Sequence, residues 1–275
     1  MELEHFEPQS EGPGKKMNPG TKPILSANLD NVSVILVNPQ HPGNIGAAAR
    51  AMKNMRVHHM AMVRPHTELT ELSIQMACGA DDILQNARSY DSLGDAMATA
   101  AITVATSARR GRRRKDSLSP REMAELIAPL TLDNRVALVF GPESSGLSNE
   151  DIEHCQYVTC IPTDLAFSSL NLAQAVLLLC YEMNMATFPK RQRKRVLAPQ
   201  IELDGMFEHV RDALSRIGFL PSDDPERMML VLKRIFARAG LDSRESRIIR
   251  GIMRQINWYR RAGAPVEEGP KDSGS

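Results

Sequence analysis

Three short polar segments hold the residue types that anion binding, acid–base work or group transfer require, and each follows an apolar run. The first is Asn38-Pro39-Gln40-His41-Pro42-Gly43-Asn44-Ile45-Gly46-Ala47-Ala48-Ala49-Arg50. Glycines and alanines at the start of a helix permit close approach by a ligand or by another helix. The free N–H groups there favour an anion. No G-x-G-x-x-G occurs, so this is not the dinucleotide fingerprint. The second segment, Gly141-Pro142-Glu143-Ser144-Ser145-Gly146-Leu147-Ser148, nearly spells the phosphate loop G-x-x-x-x-G-K-[ST]. Leu147 stands at the lysine position, and without that ammonium the ATPase reading fails. The segment is also one residue too long for the G-x-S-x-G nucleophile elbow. The third runs Ile161-Pro162-Thr163-Asp164-Leu165-Ala166-Phe167-Ser168-Ser169-Leu170-Asn171-Leu172. Ser169 is placed to cap the helix that follows. Such a cap leaves Asn171 unexplained.

Other chemistries find less support. Cys78, Cys155, Cys160 and Cys180 form no C-x-x-C pair, His58 and His59 are adjacent, and His154 beside Cys155 lacks further ligands at useful spacing. No metal is expected. The N-terminus has neither the cationic nor the apolar stretch of an export signal, so a cytoplasmic protein with reduced, mostly buried thiols is the expectation. The most apolar segment, residues 170–185, is interrupted by Asn171, Gln174, Glu182 and Asn184. Its longest apolar run falls far short of the ~20 residues of a membrane span.

The 34 Lys+Arg against 33 Asp+Glu give a net charge of only +1, which on average argues against a nucleic-acid partner. The distribution argues otherwise. Arg109-Arg110-Gly111-Arg112-Arg113-Arg114-Lys115 has six cations in seven residues, and Lys190-Arg191-Gln192-Arg193-Lys194-Arg195 has five in six. Such runs are ordinarily solvated loops.

The elements that must position these segments alternate. Apolar runs at residues 32–37, 59–63, 101–106, 136–140 and 157–161 predict strands, with helices over 43–55, 68–77, 148–154 and from about 170. Ser119-Pro120-Arg121-Glu122 announces another helix, with Ser at the cap and Glu three residues on. Strands that are apolar throughout, separated by helices, imply an α/β fold whose parallel sheet is covered on both faces. From Lys190 the pattern changes to a basic linker and three amphipathic helices near 204–217, 225–239 and 243–260. In these, Phe207, Val210, Leu214 and Ile217, and then Ile248, Ile252, Ile256 and Tyr259, recur at helical spacing and predict core stripes. The expected organisation is a mobile extension (1–30), an α/β domain (31–189), a basic linker (190–200), a small all-α domain (201–260) and a mobile tail (261–275).

Taken together the three segments resemble the three motifs of the SPOUT superfamily of RNA methyltransferases, in particular its tRNA ribose 2′-O-methyltransferase branch of the TrmJ type. The residues carrying the resemblance are Asn44-x5-Arg50, Gly141-Pro142-Glu143-Ser144-Ser145-Gly146-Leu147 and Ser168-Ser169-Leu170-Asn171-Leu172-Ala173, and it covers residues 32–188. It implies a SPOUT-type parallel sheet with a C-terminal trefoil knot, a rare exception to unknotted topology. It implies S-adenosyl-L-methionine as methyl donor, held by Thr106, Ser107, Ala108, Gly141, Ile161, Ser168, Ser169 and Leu170. Asn44, Arg50, Glu143, Ser169 and Asn171 would surround the reacting centre. A homodimer with each active site at the interface, and tRNA methylated at nucleotide 32 (C, U or both), are likewise implied.

A guanidinium is a poor base, so Arg50 is expected to clamp the adjacent phosphate rather than take the ribose proton. Pro142 stands where many relatives are expected to carry a basic residue. The two basic runs, expected to flank the donor site, would contact RNA through Arg109, Arg110, Arg112, Arg113, Arg114, Lys115, Lys190, Arg191 and Arg193. Ribosomal RNA methylation, or a non-catalytic nucleic-acid-binding protein using the arginines of residues 243–260, are the alternatives.

Overall fold

The apolar runs become strands because both faces of each are covered. The structure is a computed structural model and describes residues 23–107, 117–164, 167–190 and 194–261. Its strands are β1 (Ile24–Ser26), β2 (Val32–Val37), β3 (His59–Val63), β4 (Arg88–Tyr90), β5 (Ile102–Thr106), β6 (Val136–Phe140), β7 (Tyr157–Thr159) and β8 (Thr187–Pro189). Strands β2 to β7 form one parallel sheet in the order β4-β3-β2-β6-β5-β7. Five of them answer to the expected runs. The sixth, β4, is a three-residue edge strand with two exposed residues, too short and polar to show in the pattern.

Alternate residues of each strand serve two different cores. Val34, Leu36, Ile102, Val104, Leu138 and Phe140 pack with α1 (Pro42–Asn54), α5 (Pro120–Ile127) and α7 (Leu172–Met185). Ile35, Val37, Ala105 and Val139 face the other way, onto α4 (Leu93–Met97) and α6 (Asn149–Glu153). The result is a three-layer α/β/α arrangement, as expected. Two further short helices, α2 (Glu71–Ala77) and α3 (Asp81–Gln85), lie alongside α1. Ser119 starts α5 with the anticipated reciprocal cap, its hydroxyl accepting from Glu122 N and Glu122 Oε2 accepting from Ser119 N.

Gly46 settles what the small residues of α1 are for. A Cβ there would stand 2.0 Å from the carbonyl oxygen of Ser73 on α2. The helix start admits another helix. Residues 24–26, expected in a mobile extension, instead form β1 and pair antiparallel with β8.

The C-terminal region has α8 (Gln200–Arg216), α9 (Pro225–Ala239) and α10 (Ser243–Arg261) around Leu203, Met206, Phe207, Val210 and Met229. One expected stripe is overturned. Ile248, Ile252 and Tyr259 are 53%, 51% and 56% exposed. The inward face of α10 is one residue out of phase, with Ser246 buried and Ile249 and Met253 packed against the core. Four apolar residues at helical spacing define a stripe but not the side on which the partner helix lies. No helix among the described residues is long and apolar enough to cross a membrane.

Candidate active site at the carboxyl ends of the strands

Strand order reverses between β2 and β6, and open parallel sheets bind ligands beyond the carboxyl ends of strands at such a switch. On the β6 side of that switch, beyond the ends of β5, β6 and β7, a cleft of about 290 Å³ opens. Thr106 and Ser107 leave β5 into it, Phe140 and Gly141 leave β6, and Ile161 follows β7. Ser168, Ser169 and Leu170 close it from the segment that leads to α7. Every described residue of the expected donor set therefore lines one cavity. Ala108 lies outside the described residues.

The β6–α6 turn is held by backbone packing. Gly146 N donates to Pro142 O at 2.8 Å, folding residues 141–147 back on themselves, and a Cβ on Gly141 would meet Leu147 N at 2.1 Å. Leu147, which breaks the phosphate-loop pattern, is buried with Ile152 and Cys155. It anchors the turn whose polar residues face the cleft.

From this turn a hydrogen-bonded chain crosses to two helices. Glu143 Oε2 accepts from Gln40 N at 3.1 Å, while Oε1 accepts from His41 N at 3.3 Å and from Asn44 Nδ2 at 2.9 Å. Asn44 Oδ1 in turn accepts from Asn171 Nδ2 at 2.9 Å. Asn171 Oδ1 accepts from Ala173 N at 2.8 Å, and Asn171 N donates to Gln174 Oε1. The cap of α7 is thus Asn171, not the expected Ser169, which is released to line the cleft. Partial burial pushes the Glu143 carboxyl up, but the Asn44 amide and the surrounding backbone N–H groups outweigh it and hold the group below the usual carboxylate range.

Arg50 is not part of this chain. It lies six residues beyond Asn44 on α1, about 240° around the helix, exposed, with Nη1 donating to Cys78 Sγ at 3.3 Å. The segments reach the site unequally. Glu143 and Ser169 line the cleft, Asn44 and Asn171 are joined to Glu143 by hydrogen bonds without lining it, and Arg50 points elsewhere.

Of the first basic run, Arg109, Arg110, Arg112, Arg113, Arg114 and Lys115 lie outside the described residues, as do Arg191 and Arg193. The expectation that both runs flank the donor site is corrected by Lys190. It borders a groove of about 190 Å³ with Lys194, Arg195, Pro129 and Asp133, next to the start of β6 and so at the opposite end of the sheet. Arg195 there has a structural task, its Nη2 donating to the Ala239 and Gly240 carbonyls at the end of α9. Its backbone is held by Asp133 and Asn134.

The sequence left Ser144, Ser145, Thr163 and Ala175 unassigned, yet they line the cleft. Ser144 and Ser145 lay inside a motif already singled out. Gln174 was signalled by its place three residues after Asn171, the spacing of a reciprocal helix cap. Among the described residues no group of three or more His, Cys, Asp or Glu side chains is arranged to hold a metal ion.

A cleft with both hydroxyl and apolar walls, beyond the strand ends of a doubly covered parallel sheet, marks an α/β protein that binds a small ligand of mixed polarity. The chain belongs to the SpoU methylase family: the model of the SpoU rRNA Methylase family matches residues 31–181, and that of the tRNA methyltransferase TrmJ, C-terminal domain, matches residues 201–267. It is 39% identical over 239 residues to the tRNA (cytidine/uridine/adenosine-2′-O-)-methyltransferase TrmJ of Pseudomonas aeruginosa, covering 82% of this chain and 93% of that one. It is 35% identical to the tRNA (cytidine/uridine-2′-O-)-methyltransferase TrmJ of Yersinia enterocolitica, covering 87% and 98%. In structure it is similar to TrmJ from Z. mobilis ZM4, with a TM-score of 0.70 at 32% identity over 82% of this chain and 98% of that one. A methylase family protein from Neisseria gonorrhoeae gives a TM-score of 0.62 at 34% identity, covering 68% and 98%.

Proposed function

We propose that this protein is an S-adenosylmethionine-dependent tRNA ribose 2′-O-methyltransferase acting at nucleotide 32 of the anticodon loop, on C, U or both. The observation that carries the reading is the convergence of Thr106, Ser107, Gly141, Ile161 and the 168–170 segment on one cleft, with the Glu143–Asn44–Asn171 chain beside it. The names of its relatives support the substrate class. A donor with an apolar and hydroxyl-bearing nucleoside end and a charged amino-acid end fits the walls: Leu170, Leu172 and Ala175 on one hand, five serines and the strand-end backbone on the other.

When bound, S-adenosylmethionine supplies an electrophilic methyl group on a sulfonium, so that an oxygen–carbon bond forms as a carbon–sulfur bond breaks and the hydroxyl proton departs. The protein's part is chiefly placement. Glu143 has its carboxylate occupied by three donors, so it orients Asn44 rather than accepting the ribose proton. Asn44 fixes the amide of Asn171, whose second N–H is left for a substrate oxygen. The proton leaves to the neighbouring phosphate or to water.

Arg50 is directed away from its own cleft, so a phosphate clamp by Arg50 requires a site completed by a second copy of the chain. We therefore infer a homodimer. Exposed Leu177, Leu178, Tyr181 and Met185 on α7 offer an apolar face for it. A trefoil knot belongs to the same reading.

Nucleoside mass spectrometry with position mapping tests the whole. Incubation of unmodified tRNA with protein and donor is expected to yield 2′-O-methylcytidine or 2′-O-methyluridine at nucleotide 32. The absence of any 2′-O-methylnucleoside overturns the assignment. Methylation elsewhere in tRNA overturns the position alone.

A further inference from the structure

The segment between β7 and α7 holds an aromatic ring that nothing above employs. Phe167 is 79% exposed, more than any other large apolar side chain among the described residues. Aromatic residues are scarce in this chain, at 4%, and Phe140, Phe188 and Phe207 are buried. The position of Phe167 is fixed from both sides. Its N–H donates to Asp164 O at 3.2 Å, and Thr163 Oγ1 donates to Ser168 O at 3.4 Å. Thr163 and Ser168 both line the donor cleft, whereas Phe167 between them does not. These contacts hold a bare phenyl ring in water at the rim of the site.

We propose that Phe167 is a stacking platform for a base of the RNA substrate beside the ribose that is methylated. This rests on the ribose-methylation reading given above. For a 2′-hydroxyl to enter a cleft, its nucleotide must leave the stack of its neighbours, and proteins hold splayed loop bases on aromatic faces. Every base has such a face, so stacking fixes a nucleotide without selecting its identity. That suits chemistry directed at the ribose, which all nucleotides share. A phenyl ring also keeps few rotamers and so loses little entropy when a base covers it.

The test uses the full chain, S-adenosylmethionine and unmodified tRNA transcript. Phe167→Leu keeps the apolar character and removes the ring, and it is expected to raise the KM for tRNA by roughly 5- to 150-fold, the worth of one base–aromatic stack. The Kd for S-adenosylmethionine and the sedimentation of the protein are expected to stay as in wild type, and Phe167→Trp is expected to restore the KM to within about threefold. A 2-aminopurine placed at nucleotide 32 or 33 is expected to have its fluorescence quenched by wild type and not by the leucine variant. An unchanged tRNA KM in Phe167→Leu overturns the proposal. So does an equal loss of donor affinity, which would put the ring over the donor, or a change of mass in solution, which would put it between two copies. Failure of wild type to make any 2′-O-methylnucleoside removes the reading beneath the proposal as well. A methylating wild type with an indifferent Phe167→Leu removes the proposal only.

Discussion

Glycines divide the molecule into two regions built on different terms. On Gly46 and Gly141 a Cβ would stand 2.0 Å from Ser73 O and 2.1 Å from Leu147 N, backbone against backbone. On Gly205 in α8 and Gly251 in α10 it would meet nothing within 4 Å. At the start of α1 and in the β6–α6 turn beside the cleft, chain segments therefore touch main chain to main chain. In the helical region the core is built from side chains, and Gly205 and Gly251 have open space around them. The attachment of this region to the sheet domain combines two backbone bonds, Gln200 N to Ala100 O at 2.7 Å and Ile201 N to Ala98 O at 3.3 Å, with Gln156 to Gln200 at 3.0 Å, Tyr157 to Ala237 O at 3.3 Å and the Arg195 clamp on α9. Rigid approach belongs where a methyl group must be placed, and looser packing belongs where a large substrate must be met.

The largest effects should therefore have opposite signs in the two regions. Gly141→Ala is expected to lower stability by on the order of 3 kcal/mol, since neither Leu147 N nor Gly146 C is the end of a flexible side chain. It is also expected to weaken donor binding more than tenfold in calorimetry. Gly251→Ala should instead raise stability by roughly 0.5–1 kcal/mol, as a mid-helix glycine with free space around it. Equal and small changes from both, in urea unfolding, would erase the distinction.

Asn171 separates scaffold from chemistry inside the first region. Asn171→Ala removes the cap of α7 and the contact to Asn44, and is expected to cost about 1 kcal/mol together with most of the turnover. Asn171→Asp restores a good cap but sets a carboxylate against Asn44 Oδ1. Stability should recover while kcat stays low. Recovery of kcat along with stability would reduce Asn171 to a structural residue.

These contrasts show what the sequence made legible. The sheet was readable because β2, β5 and β6 are apolar on both faces, and the donor cleft because its residues fall just past those strands. The Glu143–Asn44–Asn171 chain was less readable, since its members are separated by 99 and 127 positions and meet only through the fold. Ser169 and Asn171 are both good caps, and only the register of α7 decides between them. Lys190 was misplaced because a motif records neighbours in sequence and not which end of the sheet a linker reaches, and Arg50 lies away from the cleft of its own chain because its direction depends on helix phase.

A smaller effect is expected from pH. The Glu143 carboxyl is held below its ordinary value of 4.5, so its charged form contributes stability that is complete above that value and is lost as pH falls through the lower folded-state value. Urea unfolding of wild type and Glu143→Gln should differ by a constant amount from about pH 6 down to about pH 5. The difference should then shrink on further acidification. A difference that grows towards acid would mean that burial, not the three donors, governs this group.

The smallest effect tests the other region. Ile248 and Ile252 face water, and single exposed apolar residues contribute little, so Ile252→Ala is expected to change stability by less than about 0.5 kcal/mol. Ile249 packs on the core, and Ile249→Ala should cost roughly 2 kcal/mol or more. The two positions lie three residues and about 60° apart around α10, so the pair reads the phase of the helix: a rotation by that angle would bring Ile252 inward and carry Ile249 outward. Comparable losses at both positions would require the outer stripe to be covered in solution as well. The helical region would then be a packed element with a second partner on its outer face, and not the loosely held one that its glycines describe.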